Sequence, residues 1–97
     1  MAKTGSASVR GFTLSAASIT VINGIEQRLR IFRNQVLIGT VPRGDVHDDE
    51  GREHAHVKTK TFPDLSAGDV IEIRADRDLA LLTTLTLGPG ANTVTVR

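Results

Sequence analysis

The sequence contains no cysteine, tryptophan or tyrosine, and its three phenylalanines are Phe12, Phe32 and Phe62. Without cysteine the chain has no disulfide scaffold, no thiol nucleophile and no cysteine-based zinc site. Sandwich proteins that bind carbohydrate rely on exposed tryptophan or tyrosine, and proteins that bind single-stranded nucleic acid stack bases on aromatic side chains. The composition therefore argues against both classes, and it predicts a core of valine, isoleucine and leucine.

Long apolar runs and an excess of charge are also missing. No run approaches the ~20 apolar residues of a membrane-spanning helix, and the opening residues MAKTGSASVR lack the apolar segment of a signal peptide. The net charge is +1, which gives little attraction to nucleic acid or to an anionic membrane. We expect a protein made in a cytoplasm, with neither nucleic acid nor membrane as its partner.

The length of 97 residues suits a single domain with one modest core. Residues 1–7 are small and polar and predict an N-terminal arm, and residues 8–97 form the domain. Chain ends fray unless something holds them. We expect either a neighbouring subunit or the domain's own sheet to hold this arm.

The most informative stretch is RLRIFRNQVLIGTV, residues 28–41. Apolar and polar residues alternate, Asn34 and Gln35 interrupt them, and a second apolar run follows at once. This pattern is typical of a β-hairpin.

The rest of the chain continues in the same style, with short strand patterns separated by turns. They predict an all-β fold, an antiparallel β-sandwich of about eight short strands, of jelly-roll or immunoglobulin-like topology. The predicted strands are residues 9–14, 18–22, 27–33, 36–41, 54–62, 70–75, 79–87 and 93–96. The predicted turns and loops are residues 23–24, 42–52, 63–69 and 88–92.

Both faces of the hairpin are partly apolar. A two-residue turn at Asn34–Gln35 predicts that Phe32 lies opposite Leu37 and that Arg30 lies opposite Gly39. One face must cover the core, and the other is a candidate protein-docking surface of mixed apolar and arginine character. Its predicted interface residues are Arg28, Arg30, Phe32 and Leu37, with Val41 exposed beside them. The alternative is that a second sheet or the N-terminal arm covers this face.

The segment HDDEGREHAH, residues 47–56, is the closest approach to a chemical site. On a strand, His54 and His56 share one side, as two ligands of a divalent metal would, and His47 or the neighbouring acids complete the set. The alternative is a solvated loop that binds nothing, which Lys58 and Lys60 favour because they repel a cation. No other cofactor is indicated.

Nothing in the sequence points to catalysis. The serines lack the context of a nucleophile elbow, and the adjacent carboxylates Asp48 and Asp49 point apart in an extended chain. We therefore expect a protein that is not an enzyme.

The hairpin RLRIFRNQVLIGTV and the later segment FPDLSAGDVIEIR resemble small β-sandwich virion proteins of tailed bacteriophages, such as capsid decoration and minor tail proteins. The likeness lies in the hairpin turn and in the later turn that enters a strand. It implies a non-enzymatic, multimeric virion accessory protein, with a major capsid or tail protein as partner. An alternative is a β-sandwich module that binds a glycan or a cell surface, assisted by a metal at the histidines.

Overall fold

A computed structural model describes residues 15–49 and 52–97, and within residues 45–49 and 52–56 it describes the backbone alone. The described chain is all-β and contains no helix. No helix in it could therefore cross a membrane. Its strands are β1 Ala16–Asn23, β2 Leu29–Arg33, β3 Val36–Val41, β4 Asp45–Asp49, β5 Arg52–His56, β6 Lys58–Ser66, β7 Val70–Ala75, β8 Leu81–Thr86 and β9 Gly90–Val96.

The strands form two sheets and a separate ribbon. The three-stranded sheet has the order β6-β1-β9, the four-stranded sheet has the order β3-β2-β7-β8, and β4 pairs with β5 alone. All neighbours are antiparallel except β1 and β9, which are parallel. The all-β expectation is confirmed, but the expectation of a wholly antiparallel fold is wrong at this pair.

Both sheets contribute to one aliphatic core. The central strands alternate, so that every second residue is buried, as the two-residue period of a strand requires. From β1 these residues are Ile19 and Val21, from β2 Leu29 and Ile31, and from β7 Ile71 and Ile73, all with no exposed area. Phe62 joins this core from β6.

The predicted hairpin is confirmed. β2 and β3 join through Asn34 and Gln35, whose φ angles of 49° and 72° are both positive. A two-residue turn with this geometry matches the twist of its strands. Phe32 lies opposite Leu37 as predicted.

The predicted register fails beyond that pair, because a β-bulge between Ile31 and Phe32 shifts it by one residue. Arg30 consequently lies opposite Thr40, and Gly39 lies opposite Ile31. A residue inserted on one strand moves all later side chains to the other face. Val41, which the sequence placed on the exposed face, is therefore fully buried.

Two predicted loops contain strands. Residues 42–52 were expected to be a loop, but they hold β4 and the first residue of β5. Their composition, rich in aspartate and glycine, gives no strand signal. Similarly, β6 continues through Pro63, where a turn was expected. A second bulge accommodates Pro63 and Asp64 on this edge strand, since an edge tolerates a proline.

Two other strand boundaries differ from the predicted ones. Residues 54–62 form two strands, because the chain leaves its pairing with β4 after His56 and pairs with β1 from Lys58. β9 begins at Gly90, inside the predicted turn at 88–92. The predicted strand at 9–14 and the arm at 1–7 lie outside the described residues.

Asp69 connects the hairpin turn to the start of β7 through hydrogen bonds. Its carboxylate accepts hydrogen bonds from Arg33 Nε at 2.7 Å, Asn34 Nδ2 at 3.1 Å and the Ser66 amide at 2.9 Å. These donors, the Ser66 amide foremost, lower the pKa of Asp69 below 3.8 although burial opposes them. The turn that places Phe32 opposite Leu37 thus depends on one nearly buried carboxylate.

We expect Asp69→Asn to cost about 1–3 kcal/mol of unfolding free energy at neutral pH, because the charged hydrogen bonds are lost. The folded state favours the ionised form. The stabilisation is therefore complete above the ordinary value of 3.8 and is lost as the pH falls through the lower folded pKa. Urea unfolding of both proteins at neutral and strongly acidic pH should show the difference shrinking in acid. A difference that does not depend on pH would contradict this role.

A candidate docking surface on the four-stranded sheet

The solvent side of the four-stranded sheet carries the predicted interface residues. Because Leu29 and Ile31 face the core, Arg30 and Phe32 face outward, and Glu72 and Arg74 do the same on β7. We call this surface the outer face, formed by Arg30, Phe32, Leu37, Glu72 and Arg74.

Registered strands place these residues in two rows. One row runs Leu37–Phe32–Glu72–Thr84 across four strands. The other runs Thr40–Arg30–Arg74–Leu81. A row that begins with two apolar side chains and continues through Glu72 thus lies beside a row that contains two arginines.

The two arginines in one row need compensation, since like charges directly across a strand pair destabilise a sheet. Each has its own carboxylate. Arg30 Nε donates to Asp76 Oδ1 at 2.6 Å, and Arg74 Nη2 donates to Glu72 Oε1 at 3.2 Å. Arg74 Nη1 also donates to the Leu79 carbonyl at 2.9 Å. Both guanidinium groups are therefore held in place on the outer face.

Arg28 precedes β2 and lies at one end of the outer face. Its Nε and Nη2 donate to Asp76 Oδ2 at 3.2 and 3.0 Å, so that one carboxylate serves Arg28 and Arg30 together. These hydrogen bonds, that from Arg30 foremost, lower the pKa of Asp76 below 3.8. The structure thus brings all four predicted interface residues to one side of one sheet.

The apolar part of the outer face is open to solvent. Leu37 is 47% exposed, and Phe32 is partly exposed. A shallow depression of about 370 Å³ lies beside Phe32 and is lined by Gln35, Glu72, Arg74 and Leu79 as well. No strand of the described chain covers this surface.

The solvent side of the three-stranded sheet is chemically different. Thr20 lies between Thr61 and Thr93 in the register, and the hydroxyls of Thr20 and Thr61 are 2.9 Å apart. This row presents hydroxyl groups and no aromatic or arginine side chain. Of the two sheets, the four-stranded one therefore carries the better candidate for a docking surface.

Glu72, Arg74 and Asp76 were not among the interface residues predicted from the sequence. The alternation in VIEIRA, Val70–Ala75, already places Glu72 and Arg74 on the face of the strand that the isoleucines do not occupy. The pairing of β2 with β7 was not visible in the sequence, and without it these charges had no connection to Arg28 or Arg30.

The predicted metal ligands lie on the β4–β5 ribbon. In the backbone register His47 is opposite His54, and His56 is opposite Asp45. Side chains in this ribbon lie outside the described part of the structure. Elsewhere, the described residues form no group of three or more histidines or carboxylates that could hold a metal ion.

Comparison of the sequence with protein-family models and with curated proteins found no match.

We expect Arg30→Gln to raise the pKa of Asp76 toward 3.8, because the first of its two arginine donors is lost. Carbon-detected NMR titration of the side-chain carboxylates measures this directly. Arg77→Gln, an exposed arginine in the same turn, serves as the control and should leave the pKa of Asp76 unchanged. An unchanged value in Arg30→Gln would mean that Arg30 does not bind Asp76 in solution.

Proposed function

We propose that this protein is a non-enzymatic structural component of a bacteriophage virion. It is made in the host cytoplasm, forms homo-oligomers, and decorates or cements a capsid or tail through protein–protein contacts. Its partner is a larger shell protein, such as a major capsid or tail protein, and neither nucleic acid nor a membrane takes part.

The observation that carries this proposal is the outer face. Phe32 and Leu37 form an exposed apolar pair beside arginines that ion pairs already hold in position. Aromatic and arginine side chains are enriched where proteins bind one another, and a pre-arranged surface loses less entropy on binding. The outer face thus has the composition and the rigidity of a docking surface.

We further propose that the two sheets are the layers of a β-sandwich, of jelly-roll or immunoglobulin-like type. The shared core supports this, since Ile19 of one sheet and Ile31 of the other belong to one buried cluster. In such a sandwich the outer face would be the solvent side of one layer.

A second candidate function is a module that binds a glycan or a cell-surface protein with a metal on the β4–β5 ribbon. The register supports this candidate. His47 lies directly across from His54, and His56 is two residues further along the same strand. These three positions belong to one face of a two-stranded ribbon.

The virion proposal predicts that the chain is present in gradient-purified particles from the host that carries its gene. Mass spectrometry should find it in a fixed ratio to the major capsid or tail protein. Leu37→Glu should fold but be lost from the particles, because a charge is placed in the docking surface. Val57→Glu is the matched control, since Val57 is 50% exposed and lies between β5 and β6, beside Gly24. Particles that lack the wild-type chain, or retain both variants equally, would contradict the proposal.

The metal candidate predicts that zinc or nickel binds to the intact protein in calorimetric titrations. Replacing His54 and His56 with alanine should abolish the heat, since two of the three imidazole ligands would be gone. Lys58→Ala is the control and should retain binding. A flat trace with the wild-type protein would remove this candidate and leave the docking proposal standing.

A further inference from the structure

The two lateral sides of the fold differ in how they protect their edge strands. On one side β3 and β6 lie together. A Cβ on Gly39 would be 2.7 Å from the Phe62 ring, and Lys60 Nζ donates to the Thr40 carbonyl at 3.2 Å. β6 also contains Lys58 and Pro63. Lysine and proline are the residues that keep an edge strand from pairing with another chain.

On the other side β8 is the edge of the four-stranded sheet, and it carries a β-bulge at Leu82 but neither a lysine nor a proline. It pairs with β7 on one flank and with no described strand on the other. Its sequence, LLTTLT, contains no charge and no proline. From Leu79 to Val96 the chain has no charged residue, and Pro89 lies between strands.

Exposed apolar side chains gather at this edge. Leu81 is 50% exposed, Leu82 40%, and Leu79, just before β8, 44%. Val70, which lies on β7 opposite Thr86 of β8, is 38% exposed. An edge strand that no described strand pairs with, and that exposed leucines border, is a site for strand pairing.

We propose that β8 pairs antiparallel with β8 of a second copy of this chain, about a two-fold axis normal to the sheet. The proposal rests on the function proposed above, which expects more than one copy, and it names the surface that joins them. Identical uncharged edges meet without like-charge repulsion, whereas a charged partner strand would find no complementary charge here.

The sequence of β8 is complementary to itself over residues 82–86 in this arrangement. An axis through Thr84 places Thr83 opposite Leu85 on the core side, and Leu82, at the bulge in β8, opposite Thr86. In these pairs a large side chain faces a small one, whereas Leu81 lies opposite Leu87. A two-fold axis normal to the sheet also keeps every side chain on its own face.

This pairing joins two four-stranded sheets into one of eight strands. Because the axis is normal to the sheet, both outer faces lie on the same side of the dimer. When one copy of such a dimer has bound the shell, the second copy is already held close to it. Its binding is then intramolecular, which strengthens attachment although each docking surface makes the same contacts as before.

Sedimentation equilibrium and light scattering test the pairing on the full chain. We expect a wild-type dimer and a monomer for Thr84→Lys, because two lysines would face each other at the axis. Thr59→Lys is the matched control, an exposed threonine on the edge strand β6, and should remain dimeric. A wild-type monomer, or a Thr84→Lys dimer, would overturn the proposal.

Thr84→Cys gives a second readout that does not depend on weakening the fold. The chain has no cysteine of its own, and directly opposed residues of an antiparallel pair are close enough for a disulfide. Mild oxidation should cross-link Thr84→Cys to a covalent dimer and leave Thr59→Cys monomeric on denaturing gels. Equal cross-linking of both variants would count against pairing at β8.

Failure of this proposal is distinguishable from failure of the virion proposal. If Thr84→Lys is monomeric but still reaches particles, both stand, and attachment of single copies is merely weaker. A wild-type monomer that enters particles overturns the pairing and the expectation of homo-oligomers, and leaves the virion role standing. A wild-type dimer that never enters particles overturns only the virion role.

Discussion

The outer face depends on the burial of Leu29 and Ile31 in the core between the two sheets. Both side chains are fully buried, and a strand has no freedom to bury its neighbours on the same side. Arg30 and Phe32 are therefore directed to the opposite side. The core thus determines both the stability of the four-stranded sheet and the chemistry that the sheet presents to solvent.

The positions of the charged side chains on the outer face follow from the same burial of the core residues. When β2 and β7 pair in register, Arg30 and Arg74 come to lie side by side. Asp76 and Glu72 offset this repulsion, and exposed ion pairs of this kind add little stability by themselves. Their consequence is positional, because they hold the arginines around Phe32 in a fixed arrangement that a partner would meet already formed.

The hairpin turn was predictable from the sequence, whereas the bulge in its strands and the long-range strand pairing were not. The hairpin at Asn34–Gln35 was readable because its turn and its alternation involve neighbouring residues. The bulge that buries Val41 was not, since one inserted residue leaves the apolar pattern of VLIGTV unchanged. The pairing of β2 with β7 was also hidden, and with it the contribution of Glu72 to the candidate site. That pairing joins residues about forty positions apart, for which a single sequence has no local signal.

The central claim is that the outer face is open in the isolated protein and covered in the assembled particle. Carbene footprinting with mass spectrometry measures this at Phe32 and Leu37 in both states. The account predicts strong labelling of both residues in the free protein and protection in purified particles, with Val57 labelled equally in each. Equal labelling of Phe32 and Leu37 in the two states, or protection already present in the free protein, would contradict it.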